Sequence, residues 1–228
     1  DLVFEVEATG ETIAETVDAY ELFRKLCEIN WDFAEPGILF WDRIEKWNLL
    51  SKTPNFKFAG TNPCAEEPLP AGGSCLLGAL NLSEFVKDGK FDFEGFETAV
   101  DIAVVGLNEV LEEGLPLHPL EEQRRSVNDW RQIGLGIMGL ADMLIKTKIA
   151  YGSVASLMLC KKIASTMLRT AFKASVRLGE ELGSYQMFKK EHITATEFYK
   201  KNLSDIECNA LHNSQLLTIA PTGTISTM

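Results

Sequence analysis

Residues Thr61 to Cys75 read "TNPCAEEPLPAGGSC", and two thiols stand there among an amide, two carboxylates and a Pro-Gly-Gly bend. If "TNPCAE" is extended, alternate side chains share a face, so Asn62, Cys64 and Glu66 project together while Pro63, Ala65 and Glu67 point away. That alternation favours Glu66 over Glu67 as the carboxylate beside the thiol. An amide can orient a hydroxyl, a carboxylate in a partly buried pocket can act as a base, and a thiol can donate a hydrogen atom or an electron pair. The set suits chemistry on a polyhydroxylated substrate. A surface loop with a solvated Glu66 and an incidental Cys64 fits the same spacing. No lysine, arginine or histidine lies in the box to favour a thiolate, so radical or redox use of sulfur fits better than acyl transfer. Cys75 follows Cys64 by eleven positions, and two thiols near one pocket can supply two electrons by closing a disulfide, with each other or with a third cysteine.

Outward from this stretch, the segment from Phe56 to Leu82 is rich in proline and glycine and lacks helical period. With three prolines, Pro63, Pro68 and Pro70, it predicts a long ordered loop with short extended pieces, a kind of segment that is usually functional. Apolar stripes predict helices over about Ala14 to Phe33 (Leu22, Phe23, Leu26, Ile29), over about Phe96 to Leu111 and ending at Gly114, and over Leu157 to Leu182, ending at Gly183. A further helix is expected from near Arg131 to Lys146, and "QLLTIAP" reads as a buried strand entering a turn. There is no internal repeat, low-complexity tract or clean linker.

Bulk properties limit the function. The 228 residues carry 22 basic and 33 acidic side chains, a net charge of -11, which repels a nucleic acid polymer. No apolar run approaches a membrane span and no leader pattern is present, which suggests a cytoplasmic protein. Five scattered cysteines in a chain of this size do not suggest a structural disulfide framework. Cys64 and Cys75 have no second pair at zinc spacing, and His118, His192 and His212 sit in unrelated segments, so no metal site is expected. Cys27, Cys160 and Cys208 read as inert, partly buried thiols. "GLGIMG" at Gly134–Gly139 has the spacing of a dinucleotide fingerprint, but no strand precedes it; small residues that let a helix pack closely are the simpler reading. "APTGTIS" at Ala220–Ser226 puts Gly223 among hydroxyl residues after the expected strand, and such a turn opening a helix would present backbone N–H groups to a phosphate.

"NPCAEEPLPAGGSCLLGALNLSEF", "RQIGLGIMGLADML" and "LHNSQLLTIAPTGTIS", in this order, resemble the catalytic subunit of ribonucleotide reductase, from about Phe33 to the end of the chain. The resemblance implies an α/β fold: residues 1–228 as a helix-rich central part of the ten-stranded α/β barrel, two five-stranded parallel half-sheets around a finger loop, with Cys64 at the finger tip. It implies that Cys64 becomes a thiyl radical that removes the ribose 3′ hydrogen, that Glu66 is the base for the 3′ hydroxyl and that Asn62 holds the hydroxyls. Cys75 is similar to one member of the redox pair, whose partner in the family lies well upstream. Thr61 to Glu66 and Pro221, Thr222, Gly223, Thr224 and Ile225 would bind substrate, the latter its diphosphate. The short Cys64–Cys75 spacing and "GGSC" resemble the adenosylcobalamin-dependent class; the alternative radical source is a separate metal-containing small subunit. "CLLG" from Cys75 stands where "CNLG" is commoner in the family, which bears on packing around the thiol.

The resemblance also implies a thioredoxin- or glutaredoxin-type reductant and a homodimer of the full protein. The chain starts at Asp1 and stops after a glycine-containing turn, so it reads as an internal piece. The first redox cysteine, the effector site, the specificity loop and the tail cysteines would lie outside it. Two other readings remain at this point: a non-catalytic nucleotide-binding or assembly half of a split subunit, and a glycyl-radical-type relative, for which no glycyl-radical motif is present.

Overall fold

Caps and apolar period decide where the helices begin. The computed structural model describes residues 2–6 and 8–227. The chain forms two compact units, residues 1–41 and 42–228.

In the first unit β1 (Leu2–Val6) and β2 (Glu11–Glu15) pair as an antiparallel hairpin with Val3 opposite Ala14. α1 (Ala19–Phe33) starts where Asp18 Oδ1 accepts the Glu21 N–H at 2.9 Å, and ends at Ala34 in the left-handed region. The helix expected from Ala14 is therefore shorter at its start, because the alternation around Ile13 pairs as strand and the capping aspartate comes only at position 18. Cys27 lies on α1 and is exposed, not partly buried.

The second unit takes in most of α2 (Trp41–Lys46) and then two short antiparallel strands, β3 (Gly60–Thr61) and β4 (Pro68–Leu69). β5 (Leu76–Asn81) follows, then a small hairpin of β6 (Val86–Lys87) and β7 (Lys90–Phe91). Asp92 caps α3 (Phe93–Gly114) by accepting the Gly95 N–H at 3.1 Å. After α4 (Glu121–Trp130) the chain forms β8 (Ile133–Met138), α5 (Leu140–Lys146) and the long α6 (Val154–Leu182), which stops at Gly183 as its stripe predicts. α7 (Lys190–Thr194) and α8 (Glu197–Asn202) complete the helices.

The helix expected from Arg131 to Lys146 is a strand and a short helix instead. Arg131 ends α4 in the left-handed region, φ 45°, and Ile133 to Met138 run parallel to β5 from Leu76↔Ile133 to Asn81↔Met138. A strand covered on both faces reads as a continuous apolar run and so mimics a buried helix. The glycines explain themselves in this setting. A Cβ on Gly136 would lie 2.6 Å from the Thr218 carbonyl oxygen, and Gly139, at φ 68°, turns the chain into α5 against the Asn81 side chain. Close packing is thus the role of "GLGIMG", but between strands rather than helices.

Residues 215–218 lie along the other edge of β8. Ile133 and Leu135 N–H groups donate to Gln215 O and Leu216 O, Thr218 N–H returns to Leu135 O, and Leu217 bridges Leu135 in parallel. Consecutive rather than alternate acceptors make this a bulged strand, which bends the chain and re-aims its side chains. "QLLTIAP" therefore forms the expected extended segment, though irregularly. α3 packs on β5, β8 and α6, and Phe96, Val100, Val104, Leu135, Met167 and Phe172 are buried in that core.

A buried polar network holds 212–213 in place. Asn213 donates to Asn108 Oδ1 at 2.8 Å and to Arg131 O at 2.9 Å, and its backbone N–H meets Ser175 Oγ at 3.0 Å. His212 Nδ1 lies 2.6 Å from Gly183 O and its Nε2 2.8 Å from Arg131. An arginine only donates, so Nε2 accepts and the proton sits on Nδ1. Burial lowers the His212 pKa, in keeping with this neutral form.

Candidate functional site

The segment expected to be extended is a tight turn between β3 and β4. Ala65 N–H donates to Asn62 O at 3.0 Å and Ala65 has φ 64°, so alternation fails after Asn62. The cause is local: the Asn62 side chain accepts the Glu67 N–H at 3.0 Å, closing the turn on itself, as asparagine often does. Pro63, Cys64 and Ala65 occupy the exposed tip. Thr61 and Asn62 are half-buried at its base.

The two glutamates separate. Glu66 is half-buried, its Oε2 is enclosed without a hydrogen-bond partner, and its carbonyl accepts the Thr218 hydroxyl at 2.8 Å. It borders two cavities. One, of about 500 Å³, is walled by Leu135, Cys160, Met167 and Thr218; the other, of about 720 Å³, is mainly apolar and includes Trp47, Phe58 and Phe198. Cys64 lines neither.

Glu67 is the deeply buried carboxylate, 1% exposed. Its Oε2 accepts from the Gln215 amide, while Oε1 has no well-formed partner. Burial above all, helped by the charge of Glu66, raises its pKa to about 7 against the pull of the Cys75 thiol and the Thr218 hydroxyl. Burial likewise pushes the Cys75 thiol well above its ordinary value, and Glu67 and Glu66 add to that. Cys75 is half-buried just before β5. The floor between them is Gly134, where an added Cβ would lie 2.6 Å from Glu67 Oε1, 2.7 Å from Thr218 Cγ2 and 2.8 Å from Cys75 Sγ.

Thus three distant segments, Glu66–Cys75, Gly134 and Gln215–Thr218, converge. Glu67, Gly134, Gln215 and Thr218 were missed from sequence, although the Glu66–Glu67 doublet hinted that one carboxylate would face inward. At Pro221–Ile225 the expected helix is a single 3-10 turn, Ile225–Thr227; the Ser226 N–H returns to Thr222 O at 3.1 Å, and Pro221, Gly223 and Thr224 are exposed. Its own hydroxyls satisfy the turn, as Ser226 Oγ does to Gly223 O at 2.7 Å. Among the described residues all five cysteines are free, no three His, Cys, Asp or Glu side chains gather as a metal cluster, and no helix is long and apolar enough to cross a membrane.

The chain is 35% identical over 227 residues to the "Vitamin B12-dependent ribonucleoside-diphosphate reductase" of Thermoplasma acidophilum, covering 99% of this chain and 28% of that protein. It is 33% identical over 218 residues to the Mycobacterium tuberculosis protein of the same name, covering 96% of this chain and 29% of the relative. The chain thus spans less than a third of these relatives. Among solved structures the "Actinobacillus ureae class Id ribonucleotide reductase alpha subunit" superposes with a TM-score of 0.73 over 92% of this chain and 38% of that one, at 24% identity, a likeness of fold. A family model described as "Ribonucleotide reductase, barrel domain" matches residues 2–228, and the chain belongs to that family.

Proposed function

We propose that the polypeptide of which this chain is a central part of the barrel reduces ribonucleotides, as diphosphates, to 2′-deoxyribonucleotides through a thiyl radical on Cys64. The observation that carries the reading is the turn that holds a thiol at an exposed tip, with Asn62 locked at its base and Glu66 two positions after the thiol, within a chain matched by the family over residues 2–228. Cys64 removes the 3′ hydrogen of the ribose, Glu66 takes the proton of the 3′ hydroxyl, and Asn62 holds the hydroxyls. The C2′–O bond then breaks and the oxygen leaves as water. Two thiols supply the two electrons by joining as a disulfide, one of them Cys75.

Residues 61–66 and 221–225 contact the substrate in this scheme, with the exposed backbone of the second segment toward the diphosphate. Exposure of Pro63, Cys64 and Ala65 fits a radical source that approaches from outside the turn, and the names of the relatives favour cobalamin for it. When bound, adenosylcobalamin supplies the radical that takes the hydrogen atom from the Cys64 sulfur. A thioredoxin- or glutaredoxin-type dithiol restores the thiols, and the complete protein works as a cytoplasmic homodimer. A non-catalytic half of a split subunit is not favoured, since the relatives carry enzyme names over almost all of this chain.

Cys64→Ser in the complete polypeptide is expected to abolish deoxynucleotide formation while substrate affinity stays within about threefold, a difference of under ~1 kcal/mol. Turnover retained by that variant would refute the radical role.

A further inference from the structure

The thiyl scheme makes no use of Glu67, yet it is the most enclosed acid near the site. A carboxylate that is 1% exposed, with one oxygen held by Gln215 and the other unpartnered, is costly to keep unless something acts on it. What shares its pocket is a thiol: Glu67 Oε1 and Cys75 Sγ lie 2.6 and 2.8 Å from the same point above Gly134. Gln215 fixes the carboxyl plane, and the lack of a side chain on Gly134 leaves room for the pair.

We propose that Glu67 positions the Cys75 thiol and holds its proton on Oε1 while Cys75 is oxidised, returning it when the disulfide is reduced. This rests on the reading of Cys75 as a redox thiol given above. In the forward step the Cys75 sulfur and a second cysteine sulfur join, and two electrons pass to the substrate as its C2′–O bond breaks. The Cys75 proton moves to Glu67 Oε1; the substrate takes one proton from the second thiol and one from solvent, leaving as deoxynucleotide and water. In the return step an external dithiol attacks the disulfide, Cys75 departs as thiolate and takes back the proton from Glu67, and the dithiol releases its two protons to the second cysteine and to solvent. With its pKa raised to about 7, Glu67 stands as a carboxylate above that pH and can accept the proton, and burial favours the neutral acid that results. The titratable groups acting on the carboxyl are Cys75 and Glu66, whereas Gln215, Thr218 and Gly134, which surround it from the other segments, carry no charge.

The test uses the complete polypeptide with Glu67→Gln, which keeps an oxygen for the Gln215 amide, and Glu67→Asp, which keeps the charge. Alkylation of Cys75 by iodoacetamide, followed on its own peptide by mass spectrometry, should be about tenfold faster at pH 8.5 in Glu67→Gln, because removing the carboxylate lowers the thiol pKa. Oxidation of Cys75 in a single turnover of pre-reduced enzyme should slow at least tenfold in the same variant and lose its inflection near pH 7. Glu67→Asp should restore slow alkylation. A residue that serves only packing would not move these two rates in opposite directions. Rates within twofold of wild type for both measurements, or Glu67→Asp behaving as Glu67→Gln, would overturn the proposal. The underlying reading is tested separately: Cys75→Ser sustaining multiple turnovers with thioredoxin would remove Cys75 from the redox pair, whatever Glu67 does.

Discussion

Glu67 and Glu66 are adjacent and chemically identical, yet one is enclosed and one borders open cavities. The difference comes from the left-handed Ala65, which breaks the two-residue alternation and rotates the second glutamate inward. Enclosure has a consequence for stability. Burial raises the pKa of Glu67 to about 7 from its ordinary 4.5, so between those limits the native state binds more protons than the unfolded chain. Its contribution is therefore full below about pH 4.5, declines as pH rises and is lost above about 7. Glu67→Gln does not titrate, so relative to wild type it should gain roughly 3 kcal/mol between pH 4.5 and 8. Urea unfolding of both proteins across that range measures the difference; parallel profiles would show that the carboxyl is not enclosed in solution.

Elements place the site through a few close approaches. α6 runs its full expected length because Ser153 caps its start, accepting the Ser156 N–H at 3.2 Å, and Gly183 ends it. Within it Gly179 looks like a weak point, since alanine is better in a helix by about 1 kcal/mol. Packing reverses that sign. A Cβ at Gly179 would lie 2.7 Å from Leu211 N and 3.1 Å from Ala210 C, and backbone cannot step aside as a flexible side chain can. Gly179→Ala should therefore destabilise the fold by about 1–3 kcal/mol, read from the urea midpoint at unchanged m-value. The shift should also loosen 211–213 and, through the bulged strand, Gln215 and Thr218. A stabilised variant would mean that the 210–211 segment is not seated on α6.

At the scale of the molecule, β5, β8 and the strand-like 215–218 give three adjacent parallel segments, with the thiol pocket where β5 and β8 begin. The chain covers 28% of the Thermoplasma acidophilum relative, and a radical enzyme must enclose its substrate to keep the intermediate from side reactions. The isolated 228-residue chain is therefore expected to form no deoxynucleotide from ribonucleoside diphosphate with adenosylcobalamin and dithiothreitol. Product found by chromatography would show that these segments suffice.

Read alone, the sequence marks the long helices, the glycine stops of two of them and the block around Cys64 and Cys75, because apolar period and helix-ending residues act over a few positions. It also carried the family, through three blocks whose spacing is covalent. What it could not decide was the conformation of "TNPCAE" and of "IGLGIM". The first is bent by an asparagine whose side chain accepts the Glu67 N–H five residues on, and the second is a strand because Leu76–Asn81 and Gln215–Thr218 flank it. Only the tertiary structure selected Glu67 as the enclosed acid, since burial depends on Gly134, Gln215 and Thr218, which lie 67 to 151 positions further along the chain. Such contacts arise from the packing of distant segments, and no local pattern encodes them.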